Sequence, residues 1–105
     1  MFSLQRSPTF KQEVKVNVKT DNLWREEKFT GIFKRVDDAR HKELVNTPVN
    51  EVVDEVLVGW EMVDMERKPV DFNPDTVAAL KAQPGSSMAV AMAFFAANSG
   101  AKEKN

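Results

Sequence analysis

The sequence predicts one α+β domain, an N-terminal antiparallel β-hairpin packed against three to four short α-helices. Three observations carry this. The first third of the chain alternates apolar and polar residues, and from about Val36 the apolar spacing becomes helical. Pro48, Pro74 and Pro84-Gly85 punctuate the helical part. A chain of 105 residues has room for one core and little more.

Within Thr9 to Lys19, the residues Phe10, Val14, Val16 and Val18 share one face. Lys11, Glu13, Lys15, Asn17 and Lys19 share the other, the pattern of a strand with one wet side. Thr20-Asp21-Asn22 supplies turn chemistry. Leu23 to Arg35 reads as the return strand, with Leu23, Phe29 and Phe33 on one side and Trp24 and Ile32 on the other. Gly31, set between two Phe residues, marks a bulge or a close backbone approach. Phe29 and Phe33 are therefore expected to be structural.

Asp37 can cap a short helix running to about Val45. Asn46-Thr47-Pro48 reads as a cap followed by Pro at the first helical position. Val49, Val52, Val53, Val56, Leu57 and Trp60 then form one stripe, with Glu51, Asp54 and Glu55 opposite. Val56, Val58, Trp60 and Met62 also alternate, so a strand beginning at Val56 competes. The stripe favours helix through about Trp60, with Trp60 structural. Met62 to Val70 reads as a polar connection with a turn around Glu66-Arg67-Lys68-Pro69. Asn73 and Pro74 cap and open the next helix, Phe72 stapling onto Val77, and Pro84-Gly85 stops it near Gln83. Ser86 or Ser87 then caps a last helix from Met88 to about Asn98. Residues 1–8 are expected to be a flexible N-terminus, 9–98 the domain and 99–105 a flexible charged tail.

Composition excludes several function classes. Fifteen basic and sixteen acidic residues give a net charge of -1, which offers no electrostatic footprint for a nucleic acid. The absence of Cys removes disulfides, thiolate metal sites and cysteine nucleophiles. No leader-like apolar run opens the chain, and its longest apolar stretch, Met88 to Ala97, is half the ~20 residues that cross a bilayer. A soluble intracellular protein without a membrane partner is expected. His41 lies among charges with no second His and reads as a solvated surface residue. Asp37-Asp38 and Asp54-Glu55 are adjacent pairs, which do not face each other on a helix. Asp64, Glu66 and Asp71 lack the glycine and terminal glutamate of an EF-hand loop. With no phosphate loop and no nucleophile elbow, the expectation is a non-catalytic protein without metal or cofactor.

The last helix is the unusual element, because Met88 to Asn98 carries no charge. Met88, Met92 and Phe95 fall on one face, Val90, Phe94 and Ala97 on a second, Ala89, Ala93 and Ala96 on a third. A helix that is apolar all round must be enclosed by protein. Either it is the central core helix, or part of it docks a partner, for which Met beside Phe makes an adaptable surface. Met88, Met92, Phe94 and Phe95 are the candidate contact residues. Trp24 is not assigned to the core by the pattern and stays open between a covered ring and a contact residue.

Phe29-x-Gly31-x-Phe33-Lys34-Arg35, a short charged helix, then Glu55-Val56-Leu57-Val58-Gly59-Trp60-x-x-Val63-Asp64 resembles the tail assembly chaperones of long-tailed bacteriophages. Pro69-Val70-Asp71-Phe72, leading into a capped helix and a Pro-broken apolar C-terminal helix, is similar to that family too. The resemblance runs from about Val14 to Ala97. Arg67-Lys68 stands where members often carry a Gly before the Pro. It implies a non-catalytic assembly factor in the host bacterial cytoplasm, phage- or prophage-encoded. Its client would be the tape measure protein, with the major tail tube protein and self-association as further interactions. A structural tail-completion or joining protein retained in the virion is the alternative. The family is often made in two forms by a ribosomal slip near the end of the short frame. Glu103-Lys104-Asn105 can be encoded across a slippery heptamer of that kind.

Overall fold

The computed structural model describes residues 1–100, so the expectations for Ala101 to Asn105 lie outside the described residues. Strands β1 (Thr9–Thr20) and β2 (Leu23–Lys34) form the expected antiparallel hairpin, with Thr9 opposite Lys34 and Thr20 opposite Leu23. This register places Phe10 against Phe33 and Val14 against Phe29, joining the apolar faces of the two strands. Ser7 and Pro8 are tied to the far end of β2: Arg35 donates its Nε–H to the Ser7 carbonyl at 2.8 Å and its backbone N–H to Pro8 at 2.9 Å.

Helix α1 (Asp38–Val45) begins where expected, with the Asp37 carboxylate accepting the Arg40 N–H at 2.9 Å. Helix α2 (Val49–Val56) corrects two expectations. Its N-cap is Pro48 itself, because the Thr47 hydroxyl donates back to the Glu43 carbonyl and the Asn46 N–H closes α1. It also ends four residues short of Trp60. Leu57–Glu61 is a third strand, β3, which extends the hairpin to a three-stranded antiparallel sheet in the order β1-β2-β3. The physical reason lies in β2, whose outer edge is left unpaired by β1. Thr30, Gly31 and Ile32 take up Glu61, Trp60 and Gly59, and the ladder slips between Ile32 and Phe33. The β-branched residues that fit one face of a helix also satisfy this edge.

Beyond β3 the chain turns on Asp64, whose carboxylate accepts the backbone N–H groups of Glu66 at 2.8 Å and Lys68 at 3.0 Å. Arg67 sits there with φ 63°, and Val63 bridges Pro69. Helix α3 (Pro74–Ala82) carries the expected Asn73 cap as a full capping box with Thr76. Phe72, expected over Val77, meets Trp60 edge-on at 4.9 Å. Helix α4 starts earlier than expected, at Ser86, and runs to Asn98. Gly85 caps it in the left-handed conformation with φ 81°, so Ser86 and Ser87 lie inside the first turn and are buried.

One cluster forms the core. It joins Val14 and Phe33 of the sheet, Leu44 of α1, Val52, Val53 and Val56 of α2, Leu57 and Trp60 of β3, and Val90, Ala91 and Phe94 of α4. Helix α4 lies over β1 and beside α2. Thirteen helical residues reach ~20 Å, whereas twelve strand residues reach ~40 Å. The hairpin therefore outruns its helical cover, and the molecule measures 46 Å in its longest direction against 30 and 29 Å in the others.

Candidate functional site

The sequence leaves the uncharged helix α4 without a direction, and packing supplies it. Phe94 stacks on Phe10 at 6.2 Å, tilts against Phe33 at 5.9 Å and has no exposed surface. Val90 and Ala91 lie on the same buried arc. The opposite arc carries Met88, 53% exposed, Met92, 59% exposed, and Ala96. These residues follow one another at intervals of four, a single stripe along the helix. Phe95 lies half-buried at the margin, where it meets the His41 ring at 5.3 Å.

Of the four candidate contact residues, the structure keeps Met88 and Met92 in solvent, leaves Phe95 partly accessible and removes Phe94. The correction has a plain cause. Phe10 and Phe33 face inward across the hairpin and need an aromatic partner on the covering helix, and Phe94 is one helical turn below Val90. The stripe stands on a fixed base. At its N-terminal end the buried Ser87 hydroxyl donates to Asn50 Oδ1 at 2.5 Å, and at its C-terminal end Asn98 bonds the backbone of Val36.

The structural residues named from the sequence gather in two groups. Phe33 belongs to the aromatic stack with Phe10 and Phe94. Phe29 and Phe72 each meet Trp60 edge-on, at 6.1 and 4.9 Å, and Pro74 opens α3 directly after Phe72. Trp60 is buried as expected, although from a strand opposite Gly31 and not from the end of a helix. A shallow groove of about 450 Å³ runs beside this second group, lined by Lys28, Trp60, Met62, Val63, Pro69 and Val70 among others.

His41 corrects another expectation. It is half-buried against Phe94 and Phe95 of α4, not solvated. At the tip of the hairpin the structure settles Trp24, which the sequence left open, as 69% exposed, and leaves Leu23, expected on the face of Phe29 and Phe33, 73% exposed. The signal was available in the mismatch between strand length and helix length. Trp24 lies open to solvent with the Lys19 ammonium 5.2 Å from its ring.

The chemistry of the described surface is ion pairing and apolar burial. Arg40 and Glu55 form a two-pronged pair, Nε to Oε2 at 2.8 Å and Nη2 to Oε1. This hydrogen bonding holds the Glu55 carboxyl below its ordinary range and pushes the Arg40 guanidinium further up. Among the described residues, no three His, Asp or Glu side chains gather in a geometry that holds a metal ion. No described helix is long and apolar enough to cross a membrane. Comparison of the chain with family models, with curated proteins and with solved structures finds no match.

Proposed function

We propose that this chain is a non-catalytic assembly chaperone of the phage-tail type, which shields apolar helical segments of a tape measure protein before the tail tube forms. The observation that carries the reading is the Met88-Met92-Ala96 stripe, exposed on a helix without a single charge. Methionine side chains are flexible and polarizable, so such a stripe accommodates apolar helices of differing shape. The resemblance from Val14 to Ala97 supplies the client, with the tail tube protein and a second copy of the chain as further partners. Binding of this kind rests on apolar area at ~25 cal/mol per Å², and a contact of modest size remains displaceable when the tail assembles.

The test is co-expression with a tape measure protein and capture of the pair. The double substitution Met88→Ser and Met92→Ser should weaken capture by about 2–4 kcal/mol, roughly 30-fold or more. Because both side chains are exposed, the variant should melt where the parent does. Retention of the parent at full copy number in finished tails would instead favour the tail-completion or joining reading. Failure of the parent to capture any tape measure segment removes the client assignment.

A further inference from the structure

Asn98 ends α4 and fastens it to the connection between β2 and α1. Its Oδ1 accepts the Val36 N–H at 3.2 Å, and its Nδ2 donates to the Val36 carbonyl at 3.3 Å. The same Nδ2 lies 2.9 Å from Nδ1 of His41. Val36 decides which end of the amide is which, since the reversed amide would set donor against donor and acceptor against acceptor. Nδ2 is therefore a donor toward His41. Nδ1 of the imidazole must be a bare acceptor, with the ring proton on Nε2.

We propose that His41 and Asn98 form a proton-sensitive latch: protonating the imidazole at Nδ1 sets two donors face to face and releases α1 from the last turn of α4. The surroundings offer little to absorb the new charge. Helix α4 presents no ionisable group from Ser86 to Asn98, and the connection presents Val36. Helix α1 contributes Asp38 and Lys42, paired with each other at 3.0 Å, and Asp37, whose carboxylate caps Arg40. Helix α2 contributes Glu55, which is committed to Arg40. From the end of the sheet, the Arg35 guanidinium lies over the Phe10 ring at 5.1 Å.

Two features pull the other way, the negative end of the α4 dipole and the nearby aromatic rings. Neither matches the loss. The Phe95 and Ala97 carbonyls already accept the Ser99 and Gly100 N–H groups. The Phe94 centroid is 6.2 Å off, at the outer limit of a cation–π contact, and of the two rings Phe95, at 5.3 Å and 67°, is the one within that reach. Protonation converts a short hydrogen bond into a donor–donor contact.

An imidazole changes charge between about pH 5 and pH 8. A ring that carries both protons leaves Asn98 without its acceptor there. The thermal midpoint of the parent should drop by about 4–8 °C between about pH 7.5 and pH 5.5. His41→Asn places an amide oxygen where Nδ1 stood, keeps an acceptor for Asn98 and cannot titrate, so its midpoint should stay level over the same range. Asn98→Asp offers an acceptor to the protonated ring, and its midpoint should rise toward acid. A level profile in the parent, or an equal fall in His41→Asn, overturns the latch. If Asn98→Asp does not fold, the parent and His41→Asn decide between them.

Discussion

Trp60 donates its indole N–H to the carbonyl of Val70 at 2.9 Å, which ties β3 to the chain that returns from the Asp64 turn. The ring is buried between Phe29 and Phe72, so one side chain joins the sheet edge, the loop and the approach to α3. Trp60→Ala should cost ~3–5 kcal/mol in denaturant unfolding, since it leaves a cavity and an unmatched carbonyl. Trp60→Phe keeps most of the packing and should cost ~1–2 kcal/mol. An alanine variant as stable as the parent would exclude the joint described.

Gly31 and Gly59 should respond differently to alanine. A Cβ on Gly31 would stand 2.7 Å from Cε2 of Phe33, a ring with no exposed surface that is held by Phe10 and Phe94. That ring has nowhere to move, so Gly31→Ala should lose ~1–3 kcal/mol. On Gly59 the nearest atom is the terminal methyl of half-buried Ile32 at 3.3 Å, which can swing aside. Gly59→Ala should stay within about 1 kcal/mol of the parent by the same measurement.

The hairpin was legible because one wet face forces strict alternation, and Phe10, Val14 and Val16 turn inward as that pattern requires. The caps at Asp37 and Asn73 were legible for a local reason, a short polar side chain reaching its own backbone. Residues 57–61 were not legible as a strand. Val56 and Trp60 satisfy a helical stripe and an alternating edge alike, and the choice is made by Gly31 and Ile32, far away in sequence. Phe94 was hidden for a related reason. A helix with apolar residues on every side has no preferred inward face until Phe10 and Phe33 select one.

The pair of Arg40 and Glu55 predicts an acid limb. Arg40 lowers the Glu55 carboxyl below its ordinary value of 4.5 in the folded state. A carboxyl depressed on folding adds stability above the ordinary value, and that stability is lost as pH falls through the lowered one. Glu55→Gln should therefore be less stable than the parent near neutrality, and the gap should close at acid pH. Equilibrium unfolding from about pH 7 down to pH 3 reads this directly, and a constant gap would show that the pair contributes no pH dependence.

Helix α3 has no fully buried residue, so its ends matter more than usual. The Asn73 side chain accepts the Thr76 N–H at 3.0 Å, and the Thr76 hydroxyl receives the Asn73 N–H in return. Asn73→Ala should cost ~1 kcal/mol. Amide exchange should quicken across Pro74–Ala82 while the amides of Val52, Val53 and Val90 keep their protection. Equal acceleration everywhere would mean that α3 and the core open as one unit.

The overhang of the hairpin gives the molecule a handle. Asp21 and Asn22 close the turn next to the exposed Leu23 and Trp24, away from the part of the hairpin that α4 covers. Exposed turns of this sort accept insertions readily. A fluorophore, an epitope or a surface tether placed between these two residues would leave α4 facing solvent in its native setting. The chain thus offers a permissive grafting position, set apart by geometry from both the aromatic stack and the methionine stripe.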